Sequence, residues 1–562
     1  MTQGSSGGSS RCNAKLHHDV FGDILMIGSI QNWIRVHRRE LLALVILGSL
    51  WLWSQTPDGF HYLPFRDDWT WFGRPNFLHE TRWQTYIGYG LDSYRPLSFL
   101  FDTEVASRLW PHLWPISLLM TIMTFATALV YRQIVRELWD MPGWLMAIVM
   151  LWWPLEVEGQ YWLAAAVGAV PAMFFMGMGI WGVLRVQSGR LRPYWLIGAA
   201  AAFLVSDLCY EQQWFLSVGV VILLAIKHRH AWWKYALVPI VPLAMTGVWY
   251  LTHYSGLVQN GKVESFSLGA IAHSLTLIAP QVGSLFGPAT ITAWRQALFT
   301  WNRMGLLAAL LSAVLVAAWL IFAKKASATR TPRQESHPSW GILVLLGVLW
   351  IVTAYLPWVV TKYDWVADRS LYAASPGIAL ILGGLWHATS HGWAHRSRAL
   401  RSVTWIVAGI LLFSLINLRR QDISAYVASN QFDIKIGQLV LHRIETLSLT
   451  SQDTLLIRTD TNTFVPWDNF YHDHVASAWQ VNWGAQLLLY SESHGQFFFN
   501  NAVEVWPSIS PAAIKTRALG VVLTDHQPSP RYRHLMGSVP TLVIQYRDTW
   551  PKPAIVATRF YQ

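Results

Sequence analysis

Charge is scarce in this chain. Asp, Glu, Lys and Arg together make 13% of its 562 residues, where an ordinary soluble domain carries about 25%. That scarcity excludes a soluble globular protein. Only two cysteines are present, Cys12 and Cys209, which rules out a disulfide framework and any cysteine-based metal spacing. No Walker loop, dinucleotide fingerprint, GxSxG elbow or CxxC pair occurs, so soluble-nucleotide chemistry is unsupported. The opening MTQGSSGGSSRCNAK lacks the apolar core of a signal peptide, so the first membrane helix is expected to direct insertion. No internal repeat is visible. Low complexity is confined to the Gly/Ser-rich start and the loop 326–339.

What is abundant is apolar sequence, at 53% with mean hydropathy +0.30. A spanning helix needs about 20 mostly apolar residues. Eleven stretches qualify or nearly so, centred on 40–54, 113–130, 142–155, 162–184, 193–209, 212–226, 233–252, 304–323, 340–360, 371–389 and 402–418. The expected fold is therefore an α-helical polytopic membrane protein with about 11 transmembrane helices. Thirty-four tryptophans fit anchoring at the headgroup level. The net charge of +11 does not point to nucleic acid, because the basic residues fall in short loops. Arg132 and Arg136, Arg185, Arg190 and Arg192, Lys227, Arg229 and Lys234, Lys324, Lys325, Arg330 and Arg333, and Arg396, Arg398 and Arg401 alternate consistently with eleven crossings. The positive-inside rule puts these loops and the N-terminus in the cytoplasm. Loops 55–112 and 253–303 and everything after 418 then face outward.

Residues 419–562 change character. Polar sequence with β-rich runs at 454–458, 520–524 and 541–546, and a helical stretch near 475–490, predicts a small α/β domain. The expected organisation is a cytoplasmic tail over 1–38, a transmembrane domain over 39–418 and an extracytoplasmic α/β domain over 419–562.

Acidic residues stand out where they meet the membrane boundary. Asp67 and Asp68, in PFRDDWTWFGRP, follow the first span. Adjacent carboxylates near low-dielectric lipid repel, raising at least one pKa unless a cation compensates. One could serve as general base for an acceptor hydroxyl while the other orients it or, as Asp68 could, holds a divalent ion such as Mg or Mn. A solvated pair matched by Arg66 and Arg74 is the plainer reading. Glu156 and Glu158 lie in WWPLEVEGQYW and Glu211 in LCYEQQW, in short outer turns. Ionisable groups at membrane depth are costly and usually face a cavity or the bundle interior, although a short turn must also hold something polar. Arg369 and Tyr372, in DRSLYAASPG, open the tenth span, where a guanidinium could recognise phosphate or simply snorkel. Arg95, between Tyr94 and Pro96, is a second phosphate or sugar contact or else a helix-starting turn. His472-Asp473-His474 has no evident third metal ligand.

In order and on one membrane side, DDW at 67–69, SYRPLSFLFD at 93–102, WPLEVEGQYW at 153–162, YEQQ at 210–213 and DRSLYAASPG at 368–377 resemble the GT-C superfamily of membrane glycosyltransferases. The chain resembles most its O-mannosyltransferase-like, tetratricopeptide-linked branch. Tyr210 stands where relatives carry Lys and Trp153 where many carry His, and no tetratricopeptide array follows. The resemblance implies inverting transfer of a sugar from a polyprenyl-phosphate donor to an extracytoplasmic acceptor: a glycolipid, cell-surface polymer or protein. Asp67 or Asp68 would be catalytic. Arg369, Arg95, Tyr94, Glu158, Glu211 and Tyr372 would bind donor or substrate. Membrane lipid would surround the enzyme, in a bacterial inner or plasma membrane, with no nucleic acid partner. The alternatives are a lipid-linked sugar transporter or flippase, an O-antigen ligase or polymerase-like enzyme, and a non-catalytic membrane scaffold. No inverted repeat or paired broken helices support transport.

Overall fold

The computed structural model describes residues 38–139 (without 39, 58, 61, 65, 78–80, 92 and 94), 143–227, 232–253, 268–299, 340–360, 366–393, 398–459 (without 451), 478–497 (without 481), 503–505, 518–524, 539–547 and 554–561. In lipid every backbone polar group must be satisfied internally, so the long apolar runs become helices. They are α1 (Glu40–Gln55), α2 (Pro96–Glu104), α3 (Trp114–Trp139), α4 (Trp144–Trp152), α5 (Val157–Tyr161), α6 (Leu163–Gln187), α7 (Trp195–Cys209), α8 (Gln213–Lys227) and α9 (Trp232–Thr252). After these come α10 (Leu268–Ser284), α11 (Thr290–Phe299), α12 (Trp340–Val360), α13 (Ser370–Trp393), α14 (Arg398–Thr446) and α15 (Asn482–Glu492). Among the described residues, five stretches are long and apolar enough to cross a membrane: Trp114–Trp139, Leu163–Gln187, Trp233–Thr252, Trp340–Val359 and Ser370–Ala388. The protein is a polytopic helical membrane protein with a small α/β unit at its C-terminal end. Glycines let α12 and α13 approach closely: a Cβ on Gly347 would lie 2.5 Å from the Gly377 carbonyl, and one on Gly377 2.6 Å from that of Gly347. Small residues permit such backbone approach in membranes.

Four expectations need correction or limiting. The span expected over 142–155 is the nine-residue α4, about 14 Å long and under half the ~30 Å hydrocarbon thickness. Pro154 follows it, and Leu155 turns the chain at φ 77°. The helix expected over 402–418 does not end there but runs through Thr446, 49 residues in all. The fall in hydropathy after 418 marks a change of surroundings, since Ile423, Tyr426, Phe432, Ile436, Val440 and Ile444 keep a buried helical stripe. The presumed loop 253–303 contains α10 and α11, joined by a π turn over Leu285–Ala289. The span expected over 304–323 lies outside the described residues, as does His472-Asp473-His474.

The C-terminal unit is a five-stranded sheet in the order β2-β1-β3-β4-β5: β1 (Thr454–Thr459), β2 (Val503–Val505), β3 (Ala518–Thr524), β4 (Thr541–Arg547) and β5 (Ala554–Tyr561). β1 pairs in parallel with β2 and β3, β3 in parallel with β4, and β4 antiparallel with β5. All of β3 is buried, as a central strand covered on both faces requires. Two hydrophobic cores result: one inside the bundle, and one where α14, α15 and the sheet meet.

Candidate active site

The two adjacent aspartates have different surroundings. Asp68 is fully buried; its Oδ1 accepts the Ala164 N–H at 2.9 Å and its Oδ2 the Tyr62 hydroxyl at 2.5 Å. The Tyr62 oxygen in turn accepts the Leu163 N–H at 2.9 Å. Leu163 and Ala164 open α6, whose N-cap, Trp162, offers no side-chain cap. The first N–H groups of a helix have no intrahelical partner, and its dipole favours an anion there. Asp68 is thus a helix cap supplied from 96 residues away. Burial, then the charge of Asp68, pushes the Tyr62 phenol well above its ordinary range, so it stays a donor. Asp67 is half-buried, and among the described residues its side chain makes no hydrogen bond or ion pair.

Four further segments converge on the same end of the bundle. Arg95 is the N-cap residue of α2 with Pro96 at the first helical position, which realises the expected helix-starting turn. Its guanidinium grips Glu211 in a fork, Nε to Oε2 and Nη2 to Oε1 both at 2.6 Å, and stacks 4.0 Å from the Tyr210 ring centroid. The Tyr210 hydroxyl accepts from Arg369 Nε at 3.2 Å, while Arg369 Nη1 donates to Glu158 Oε1 at 2.6 Å. Gly159 allows this approach, because a Cβ there would stand 3.0 Å from the Arg369 carbonyl. Burial alone would raise the Glu211 carboxyl; the charge and hydrogen bonds of Arg95, joined by the charge of Arg369, overcome it and hold it below the usual range. Burial likewise opposes the Arg369 cation, and Tyr210 and Glu158 more than restore it. Both glutamates are deeply buried, while the arginine side chains keep 19% and 11% of their surface exposed. The carboxylates therefore anchor the guanidinium groups from beneath.

Asp102 connects the two halves. Carried on α2, it is buried, and its Oδ1 has no hydrogen-bond partner among the described residues. Burial and then the neighbouring charge of Asp68 push its carboxyl well above the usual range against the pull of Arg95. Asp67, Asp68, Arg95, Glu158, Glu211 and Arg369 thus belong to one end of the molecule. Tyr372 does not join them; it is fully buried beside Thr124 and Thr127 of α3, near Glu156 and Arg419. Tyr94 lies outside the described residues.

Tyr372 belongs to a second polar group that the sequence reading did not assemble. Arg419 of α14 is buried, lies 4.5 Å from the Trp51 ring centroid and donates to the Leu151 carbonyl at 3.4 Å. With its amide suitably turned, Gln55 accepts from Arg419 Nη2 at 2.8 Å. Glu156 accepts from Gln160 at 2.9 Å, and burial raises its carboxyl well above the usual range despite the charge of Arg419. This group ties α14 to α1 and to the turn that carries Glu158. Asp102 and Arg419 both had a signal: an acid within LSFLFD and a basic doublet on the side read as outer.

Among the described residues no three His, Cys, Asp or Glu side chains are grouped to hold a divalent cation, and both Asp68 oxygens already serve the α6 N-terminus. No step below runs through a metal.

No family model matches the chain, and no curated protein sequence matches it. Among solved structures it is similar to ArnT from Cupriavidus metallidurans bound to undecaprenyl phosphate, with 14% identity, 92% of this chain and 97% of that chain covered, and a TM-score of 0.34. It is also similar to the same protein in the apo state, with 12% identity, 94% and 98% coverage and a TM-score of 0.32.

Proposed function

We propose that this protein is a membrane glycosyltransferase that moves a sugar from a polyprenyl-phosphate donor to an extracytoplasmic acceptor with inversion. One observation carries the reading. Acidic and basic residues from five segments, at 67–68, 95–102, 158, 210–211 and 369, gather at one end of a membrane bundle. Charges at membrane depth are expensive and are found chiefly where they serve a pathway or a site.

In this reading Asp67 is the general base. Its carboxylate is half-buried and uncommitted among the described residues, whereas Asp68 is spent on capping α6. The acceptor hydroxyl attacks the anomeric carbon from the face opposite the phosphate, and its proton passes to Asp67. The bond between the anomeric carbon and the phosphate oxygen breaks, and its electron pair leaves with the polyprenyl phosphate. Arg369 and Arg95 face the charge that develops there; fixed beforehand by Glu158, Tyr210 and Glu211, they need no reorganisation as it forms. The lipid tail lies among the apolar helices. Burial, joined by the charge of Asp68, pushes the Asp102 carboxyl well above the usual range, which disfavours a further negative charge beside the leaving group.

The test is transfer from radiolabelled polyprenyl-phosphate sugars by the purified protein in detergent. Donor-dependent loss of label from the lipid, absent in Asp67→Asn, is expected. Turnover of no donor, or full turnover by Asp67→Asn, overturns the assignment.

A further inference from the structure

Trp69, the residue after Asp67-Asp68, does not pack in the core of the membrane bundle. It is 4% exposed and belongs to the core of the C-terminal unit, with Phe432, Ile436 and Val440 of α14 and with Trp479 and Leu488. The helix α15 packs on the turn 69–73, and Trp110 meets Trp69 edge-on at 5.1 Å. Two polar contacts from α14 flank this seat. Asn430 Nδ2 donates to the Pro64 carbonyl. Asp433 accepts the Ala478 N–H at 2.8 Å on Oδ2, and its carbonyl accepts Trp479 Nε1–H at 3.1 Å.

Residues 64–69 are therefore held from two bodies at once. Asp68 is fastened to α6 of the bundle, while Pro64 and Trp69 are fastened to α14 and the C-terminal core. Asp67 lies between these holds with no side-chain partner of its own among the described residues, so its position is inherited from its neighbours. We infer that the C-terminal unit positions the Asp67 carboxylate through Trp69, with Asp433 keeping Trp479 in place, so that this unit completes the candidate active site from outside the bundle. The inference rests on the glycosyltransferase reading for its consequence, although the mechanical coupling can be measured without it. Trp69, Trp479 and Asp433 are positioning residues, since none of them is placed among the reacting atoms.

The experiment pairs hydrogen exchange with steady-state kinetics on the full chain, comparing wild type with Asp433→Ala, Trp69→Ala and Trp69→Phe. Asp433→Ala removes the side-chain bond to the Ala478 N–H on the distal side of the seat and leaves the backbone carbonyl that meets Trp479. It is expected to speed amide exchange over 62–73, and Trp69→Ala to do the same, with Trp69→Phe staying near wild type. In transfer assays kcat falls about 100-fold in Trp69→Ala, the scale of a carboxylate misplaced by about 1 Å; donor KM holds because Arg95 and Arg369 are untouched, and Trp69→Phe recovers most of the loss. If Trp69→Ala does not fold, Asp433→Ala and Trp69→Phe carry the test. Unchanged exchange over 62–73 in Asp433→Ala, while exchange over 454–459 and 518–524 rises, overturns the inference. So does a loss in Trp69→Ala that appears wholly in donor KM. Faster exchange over 62–73 in these variants, when the wild-type protein moves no sugar, sustains the coupling and overturns the glycosyltransferase reading instead.

Discussion

The bundle carries ion pairs at both ends, built on opposite plans. At the end of Arg95 and Arg369, each guanidinium meets one carboxylate at 2.6 Å, and the glutamate side chains are only 4% and 3% exposed. At the other end each glutamate collects two arginines. Glu40 takes Arg132 and Arg136 at 3.5 and 3.1 Å, and Glu137 takes Arg185 and Arg190 at 3.3 and 2.7 Å. Four cations to two anions leave a positive excess, and Glu40 is 43% exposed. The first arrangement is balanced and dry, forked at Arg95 and Glu211, and fixes the direction of its arginines. The second is cationic and wetter. Equal residue types thus yield a neutral, buried pairing in one place and a cationic, more exposed one in the other, with burial and stoichiometry making the difference.

Removing one partner at the balanced end should have the largest effect. Glu158→Ala and Glu211→Ala each leave a desolvated guanidinium, a loss of about 3–5 kcal/mol read as a lowered thermal midpoint in detergent. Losses near zero would show that water reaches those arginines and would erase the contrast. Tyr210→Phe should cost less, about 1.5–3 kcal/mol for a hydrogen bond to a charged group, while retaining the stacking on Arg95. If donor KM does not rise in that variant, the hydroxyl does not orient Arg369.

Asp102 sharpens the comparison through pH. Its folded-state carboxyl holds a proton well above the usual range, so the folded state binds more protons than the unfolded one. The contribution of Asp102 to stability is then fullest below about pH 4 and is lost as pH rises through the raised value. Asp102→Asn should flatten that decline, and an unchanged pH profile of the midpoint would remove the neutral acid from the account. At the cationic end Glu40→Gln should cost the least, about 0–1 kcal/mol, because the Glu40 side chain itself is 43% exposed; a loss of several kcal/mol would put that end in the same class as the first.

Much of this was legible in the sequence, for reasons that differ by residue. The helices at 163–187 and 340–360 announced themselves because uninterrupted apolar runs have one solution in lipid. The runs at 454–458, 520–524 and 541–546 read as strands from their β-branched content, while their spatial order depends on pairings that no local pattern encodes. α14 was cut short at 418 because hydropathy reports the solvent around a helix, not its continuity. α10 and α11 were hidden because their polar residues interrupt the apolar run. Asp67, Asp68, Arg95, Glu158, Glu211 and Arg369 could be singled out as candidates because a charge near lipid is costly wherever it sits. Which carboxylate partners which arginine, and that Asp68 caps a helix 96 residues away, depends on tertiary contacts and could not be read. Arg419 was overlooked because a basic doublet after an apolar run resembles an ordinary snorkelling flank.

The central claim is that the two adjacent aspartates have separate duties, Asp67 in chemistry and Asp68 in structure. The most direct test measures both sugar transfer from polyprenyl-phosphate donors and thermal stability for Asp67→Asn and Asp68→Asn. The account predicts that Asp67→Asn keeps the wild-type midpoint and loses transfer, whereas Asp68→Asn loses about 0.5–2 kcal/mol of stability, as a weakened helix cap should. Full transfer by Asp67→Asn in a protein that turns over its donor would contradict it.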